Sequence, residues 1–576
     1  MLLDPRDGDI EDDAASPGQR SLLAIAGSLL VEISLPKLLF AWAALLLLPA
    51  VLLGLAPLLA SAWFSTLSEQ LAALTEIGAA LTLITILALG WIGWRPLFRI
   101  AETNFWSLNA LAVQPGYAFG REALRHLTEL IGGKSLTPVG RARLRSANSV
   151  GSAIMLSAFA MGVAMLAWPA SRWVGNWGDL VLVHRLAVPT LANAIVLMSG
   201  YLAVASLVWG FADASMPQPL DLATFDAASS ERRSWRVAHL SDLHVVGEQY
   251  GFRIESGRAG PRGNGRLDRI LARLAAIHAT TPLDHVLISG DMTDAGRAGE
   301  WAVFLDALSR HPELAARTIL LPGNHDVNIV DRANPARLDL PFSTGKRLRQ
   351  IRTLSALAAV QGDRVYVVDA RGKPIATLHE ALAPHRDAIR GLAARGGLRR
   401  AAALRGLFDD QFPMIVPPDT EDGLGLAMLN SNAETHFSYT NALGLVSVEQ
   451  ARRFEAATGH FPRAHWIVAL HHHVAEYPMP VKAFSERIGT ALINGSWVVG
   501  RLQALANRAI VMHGHRHIDW IGTCGRLKII SAPSPVMGAP DDAATYFYIH
   551  TLAAGPDGRL DLLPPEHVEI AGEAGG

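Results

Sequence analysis

Thr-Ile-Leu-Leu-Pro-Gly-Asn-His-Asp occupies residues 318–326. The run Thr318–Leu321 (TILL) reads as a short buried strand. Pro322 and Gly323 stop it, and an amide, an imidazole and a carboxylate follow at once in Asn324, His325 and Asp326. Open α/β sheets build their sites where strands end in this way. Four further stretches repeat the plan. Arg236–Leu240 (RVAHL) leads to Asp242-Leu243-His244, and His285–Ser289 (HVLIS) leads to Gly290-Asp291-Met292-Thr293-Asp294. Trp466–Leu470 (WIVAL) leads to His471-His472-His473, and Ile510–Met512 (IVM) leads to Gly514-His515-Arg516-His517.

Residues two apart on an extended chain point the same way, so Asp242 and His244 can converge on one ion. Singly the blocks are weak evidence. Asp-x-His also caps turns, three histidines also make a solvated loop, and Gly-His-x-His also arises by chance. All five in order, each at the same end of a predicted strand, outweigh those readings. Mixed Asp, Asn and His donors suit Mn, Fe, Co or Zn rather than Ca.

Between the blocks, Leu267–His278, Glu300–Arg310 and Ser447–Ala457 have helical spacing, and Leu424–Leu429 (LGLAML) reads as another strand. The stretch from Leu527 to Glu569 turns to strand-like runs. An α/β domain with mixed sheets is expected over 235–570. Residues 331–411 stand out as a helical, Arg- and Ala-rich insertion. From Asp331 to Asp410 there are 15 Lys and Arg against 8 Asp and Glu. They read either as a solvated insertion or as a basic cap gripping an anionic substrate or the inner leaflet.

The five blocks resemble the pattern of the calcineurin-like metallophosphoesterase superfamily, matched without substitution between Arg236 and about Pro533. The resemblance implies a four-layer α/β/β/α sandwich with a pair of divalent metal ions at the strand ends. It implies Asp242, His244 and His517 on one metal, and Asn324, His515 and a histidine of the triad on the other, with Asp291 bridging. His472 is the triad ligand by its offset from a proline that this chain replaces with Val474; His471 and His473 are the alternatives. His325 resembles the histidine that protonates the leaving oxygen, with Asp326 orienting it and Asp294 supporting the Asp291 loop. Two cations about 3.5–4 Å apart would clamp a phosphate ester and activate water as hydroxide for in-line attack. The neighbourhood Leu429-Asn430-Ser431-Asn432 with the triple histidine is most similar to the cyclic-nucleotide phosphodiesterase branch.

Upstream the character changes. Of 576 residues half are hydrophobic and 18% charged, and the net charge is −1, with a mean hydropathy of +0.23. Four uncharged runs, Leu38–Phe64, Ile77–Trp94, Val150–Ser171 and Leu186–Ala212, each approach or exceed the roughly 20 residues that span a bilayer. Four transmembrane helices are expected within 38–212, after a cytoplasmic N-terminal segment, 1–37, whose Ser21–Val31 run reads as an interfacial helix. The stretch 95–149 carries Arg95, Arg99, Arg121, Arg125, Lys134, Arg141, Arg143 and Arg145, whereas Ser65–Glu76 carries no Lys or Arg. The basic loop is therefore expected in the cytoplasm, with both termini and the enzyme domain on that side of a bacterial inner membrane. Residues 213–234, polar and containing Pro217 and Pro219, read as a linker. The one cysteine, Cys524, excludes a disulfide framework.

The expected function is a membrane-anchored phosphoesterase acting on a phosphodiester or phosphomonoester. A hydrolase of a lipid-linked phosphate or pyrophosphate is the alternative. A non-catalytic sensor or scaffold is disfavoured because no block has lost a residue. Nucleic acid is not an expected partner, since no basic groove interleaved with aromatics is present.

Overall fold

The computed structural model describes residues 47–73, 113–132, 137–178, 183–227, 232–247, 263–328, 344–432, 442–479 and 492–572, with isolated positions at 5, 43 and between 78 and 91. The chain divides into two compact units, one of Arg20–Ser215 and the other of Met1–Gln19 with Met216–Gly576.

The smaller unit contains α1 (Leu48–Ala73), α2 (Gln114–Gly132), α3 (Pro138–Ala167) and α4 (Val183–Ser215). Among the described residues three stretches are long and apolar enough to cross a membrane, Leu48–Gln70 in α1, Val139–Ala170 in α3 and the turn that follows it, and His184–Ser215 in α4. Small residues let these helices approach closely. A Cβ on Gly210 would lie 2.3 Å from that of Ala153. Asn193, fully buried on α4, donates 3.0 Å to the carbonyl of Gly54 on α1 and 2.7 Å to that of Arg172. Three of the four expected runs thus coincide with apolar helices. Eight of the 18 residues of the fourth, 77–94, and all of Ser21–Val31 lie outside the described residues. The expected basic loop 95–149 contains α2 and the start of α3, and Arg121, Arg125 and Arg145 are buried there.

The larger unit carries two mixed sheets. The six-stranded one is built on the parallel trio β2 (Ser234–Leu240), β3 (His285–Ile288) and β4 (Thr318–Leu320). Helices α5 (Gly265–Thr280) and α6 (Ala298–Ser309) form the crossovers between these strands, and β13 (Thr545–Ala554) runs antiparallel beside β2. The nine-stranded sheet has a parallel centre of β8 (Leu424–Met428), β9 (His465–Ala469), β10 (Ala509–His513) and β12 (Leu527–Ser531). Its edges are antiparallel, with β7 (Met414–Val416), β5 (Tyr366–Val368) and β6 (Pro374–Thr377) on one side. On the other side lie β11 (Trp520–Cys524) and β1 (Pro219–Asp221).

Side chains along the central strands alternate between two cores, as a two-residue period requires. Leu426, Met428, Ile467, Ala469, Ile510 and Met512 share a core with Val237, Leu240, Val286 and Ile319 of the six-stranded sheet. Their neighbours Ala427, Trp466, Val468 and Val511 pack instead with Phe454 of α8 (Val448–Gly459) and Val498 of α9 (Gly495–Leu502). The two sheets therefore meet through one face each, with helices packed against both.

Two expectations differ from the structure. The segment 213–234 is not a free linker: α4 runs through Ser215, and Pro219–Asp221 pairs antiparallel with β11 as an edge strand. The insertion 331–411 is not a solvated appendage. Its helix α7 (Thr344–Gln361) puts Ile351, Leu354 and Leu357 into the shared core, and β5 and β6 extend the large sheet.

Candidate metal centre

All five blocks lie just beyond the C-terminal ends of parallel strands, three in the small sheet and two in the large one. Main-chain bonds lock the first two loops side by side. The amides of Asp242 and His244 donate to the carbonyls of Gly290 and Asp291, each at 3.0 Å. Asp242, His244, Asp291, His515 and His517 all have φ between +46° and +76°. Left-handed backbone is sparsely populated for residues with a Cβ, so it persists only where surrounding contacts impose it. Gly323 makes room for the centre, since a Cβ there would sit 2.1 Å from Asp291 Oδ1.

Two clusters of donor atoms result. In one, Asp242 Oδ1 lies 3.3 Å from His517 Nε2 and 3.9 Å from His244 Nε2. In the other, His471 Nε2 lies 3.1 Å from Asn324 Oδ1, 3.1 Å from Asp291 Oδ2 and 3.2 Å from His515 Nδ1. Asp291 Oδ2 is also 3.9 Å from His244 Nε2, so one oxygen faces both clusters. Both Asp242–His244–His517 and Asp291–His471–His515 have atoms close enough to hold an ion.

Surrounding groups orient these donors. The carbonyl of Ser289 lies 2.8 Å from His471 Nδ1, which holds a proton there and leaves Nε2 with its lone pair for the centre. Asp294 Oδ1 stands 3.3 Å from His244 Nδ1. Asp242 Oδ2 accepts from the backbone amide of His515 at 2.9 Å, tying the small sheet to the large one.

The electrostatics match a cationic occupant. Asp242, Asp291, Asp294 and Asp326 are all buried, and among the described residues no hydrogen-bond donor satisfies Asp242 Oδ1. Burial pushes the Asp291 carboxyl up, but His471, His325 and His244 hold it far below the usual carboxylate range. For Asp242 burial is outweighed by His517 and His471, which bring it to about 2. Burial alone would lower His471; Asp291 and Asp242 raise it to about 9. Ionised carboxylates buried among imidazoles are costly without a counter-charge, which a divalent cation supplies. The donor set fits such ions.

A family model for calcineurin-like phosphoesterases matches residues 236–519. Residues 236–519 form a calcineurin-like phosphoesterase domain. The chain is therefore a metal-dependent phosphoester hydrolase. No curated protein matches the chain. Among solved structures, it is similar to a dimetal phosphatase from Danio rerio, at 12% identity and a TM-score of 0.34, covering 59% of this chain and 99% of that one. A putative 5'-nucleotidase from Staphylococcus aureus gives 13% identity and 0.31, covering 59% of this chain and 55% of that one. Haemophilus influenzae NAD nucleotidase gives 12% and 0.30, with 59% and 57% covered. The chain thus spans little more than half the length of either nucleotidase.

Within this phosphoesterase, Asp242, His244, Asp291, Asn324, His515 and His517 come together as their blocks suggested. The triad does not follow expectation. His471, rather than His472, reaches Asn324, Asp291 and His515. His472 turns away, its Nδ1 2.9 Å from Ser431 Oγ. His473 lies 3.6 Å from Glu476. Asp326 also departs from its expected role, because it fastens two loops rather than orienting His325. Its carboxylate accepts from the amides of Gly323 and Thr293, each at 2.9 Å, and from the Thr293 hydroxyl at 2.7 Å. Burial and the nearby Asp291 push Asp326 up to about 6. His325 is held instead by the carbonyl of Asp294, 2.7 Å from its Nδ1.

Sequence reasoning missed the supporting role of α7. Arg349 donates to the carbonyl of Asn328 at 3.0 Å, and the Thr353 hydroxyl donates to that of Asp326 at 3.0 Å. Helix α7 thereby braces the Asn324–Asp326 turn from behind. A polar spacing inside an apolar helix pattern was the available signal.

Proposed function

We propose that the protein is a membrane-anchored phosphoesterase that hydrolyses a phosphodiester or phosphomonoester at a dinuclear centre. One cation would be held by Asp242, His244 and His517, and the other by Asn324, His471 and His515, with Asp291 shared. The observation that carries this reading is the position of Asp291 Oδ2 between the two clusters, 3.1 Å from His471 and 3.9 Å from His244. The mixed oxygen and nitrogen donors favour Mn, Fe, Zn or Co. Bound as a pair, such ions neutralise the phosphate oxygens and acidify water.

The residues have separate tasks. Asp291 would be shared by the two cations, and the Ser289 carbonyl holds the tautomer of His471. His325 has its Nδ1 proton held by the Asp294 carbonyl, so its Nε2 exchanges the proton that the leaving oxygen needs. Asp326 keeps the loops carrying Asp291 and Asn324 in register.

Three apolar helices support the anchor, and the basic stretch preceding α3 supports a cytoplasmic catalytic unit. They also favour a second reading, a substrate whose phosphate is carried on a lipid. The deciding experiment uses full-length protein in detergent, stripped of metal and resupplied with Mn, Zn or Fe. Bis(p-nitrophenyl) phosphate, cyclic nucleotides and polyprenyl phosphates would be assayed beside an Asp291→Asn control. Metal-restored turnover of the water-soluble esters that disappears in the control supports the first reading, whereas turnover of the polyprenyl substrates alone supports the second. No turnover of any substrate, with metal bound, would overturn both.

A further inference from the structure

Helix α2 is built inside out. Its buried face carries Tyr117, Arg121, Glu122 and Arg125, with the charged residues 2–8% exposed. Arg121 pairs with Asp213 of α4 at 2.8 Å and with Glu122 at 3.0 Å, and Arg125 pairs with Glu122 at 2.7 Å. The Tyr117 hydroxyl donates to Asp213 at 2.8 Å, and Ser152 of α3 donates to the Tyr117 carbonyl at 2.8 Å. Among the described residues the opposite face is apolar and exposed. Phe119 is 56% exposed, Leu127 50% and Ile131 77%, with Ala123 exposed between them and His126 at the margin.

A helix at a water-facing surface does the reverse, burying its apolar stripe and exposing its charges. Burying two arginines and a glutamate against other helices while leaving a phenylalanine, a leucine and an isoleucine outside is favourable only in an apolar medium. Other helices of this unit also expose large apolar residues, with Phe159 on α3 68% exposed and Leu191 on α4 61%. The geometry points to acyl chains as the partner of α2. Helix α2 is embedded in lipid, its Phe119–Ala123–Leu127–Ile131 stripe against the hydrocarbon and its ion pairs sealed between it, α3 and α4. This rests on the membrane reading above and revises it, since Arg121, Arg125 and Arg145 then form part of an internal network rather than a free cytoplasmic loop.

The test places nitroxides on full-length protein in phosphatidylcholine–phosphatidylglycerol vesicles through Phe119→Cys, Leu127→Cys and Ile131→Cys, one at a time. Cys524 is the sole cysteine and is buried, so unsubstituted protein serves as the background. Phe159→Cys on α3 is the lipid reference and Ile375→Cys on β6 the aqueous one. Retained hydrolysis shows that each variant is folded. Collision rates with oxygen, which partitions into lipid, and with a water-soluble nickel chelate are then compared. The expected result is an oxygen-to-nickel ratio at all three α2 positions several-fold above that at Ile375, and similar to that at Phe159. A ratio like that of Ile375, while Phe159 reads as lipid-facing, overturns the proposal and leaves the anchor intact. Low collision with both reagents means that protein, such as a second copy, covers the stripe, and also overturns it. An aqueous ratio at Phe159 itself overturns the membrane reading.

Discussion

Asp291 Oδ2 and His471 Nε2 stand 3.1 Å apart although their strands belong to different sheets. Asp291 follows β3 and His471 follows β9, so their meeting depends on how the two sheets face one another. In the metal-free protein they form a buried ion pair; with cations bound, the same two atoms become donors. Four expectations follow from that dual use and from the groups around it.

Asp291→Asn is nearly isosteric but removes the charge shared by both clusters. Turnover should fall by about 10²–10³-fold or more, with circular dichroism unchanged. Activity within a few-fold of the original would contradict a shared carboxylate.

His471→Asn should lower the bound metal from two ions per chain towards one, as read by elemental analysis after gel filtration. His472→Asn should leave two, since that ring is engaged with Ser431 Oγ at 2.9 Å. The opposite pattern would return the ligand to His472.

Metal uptake should depend on pH through His471, whose pKa is raised to about 9 by Asp291 and Asp242 against the effect of burial. Below that value a cation must displace its proton, so affinity should climb with pH by about tenfold per unit between pH 7 and 9. The stability that this pair lends the metal-free protein has the opposite sign. It is complete below pH 6.5 and disappears as pH rises through 9. Metal titrations followed by calorimetry at several pH values would detect the first effect, and thermal unfolding of stripped protein the second.

Glu300 opens α6, and its carboxylate accepts the amides of Ala295 at 2.9 Å and Arg297 at 3.0 Å. Burial first, then Asp294, pushes its pKa up to about 7. An acid raised in the folded state costs stability as pH climbs from its ordinary 4.5 through 7, and costs nothing below 4.5. Glu300→Gln keeps an acceptor oxygen without the charge. The metal-free variant should melt above the parent at pH 8 and match it at pH 4.5; a lower melting temperature at pH 8 would refute this.

Much of the catalytic unit was legible in the sequence because its central strands are short, apolar and punctuated by glycine and proline. The blocks at their ends combine Asp, Asn and His in one order along the chain, which turn formation alone does not require. The error at the triad was avoidable in physical terms. Ile467 and Ala469 face the core shared by the sheets, and Val468 and Leu470 face the other core. Continuing the alternation sends His471 towards Asp291 and His472 away from it. The edge strands β5 and β6 were harder to read. They span three and four residues, too few for a period to show. Helix α7 was misread because its arginines satisfy backbone carbonyls inside the protein, a use of charge that composition does not reveal.

The centre draws Asp242, His244, Asp291 and Asn324 from one sheet and His471, His515 and His517 from the other. A cation held by both halves would rivet the sandwich shut, so the sheets could not slide or part without first emptying the site. The gap between the donors of one sheet and those of the other is then set by the thickness of the apolar layer between the sheets, where Met512 and Leu240 lie. Trimming a side chain in that layer, far from any phosphate, would detune the chemistry as a change of gap rather than as the loss of a reactive group.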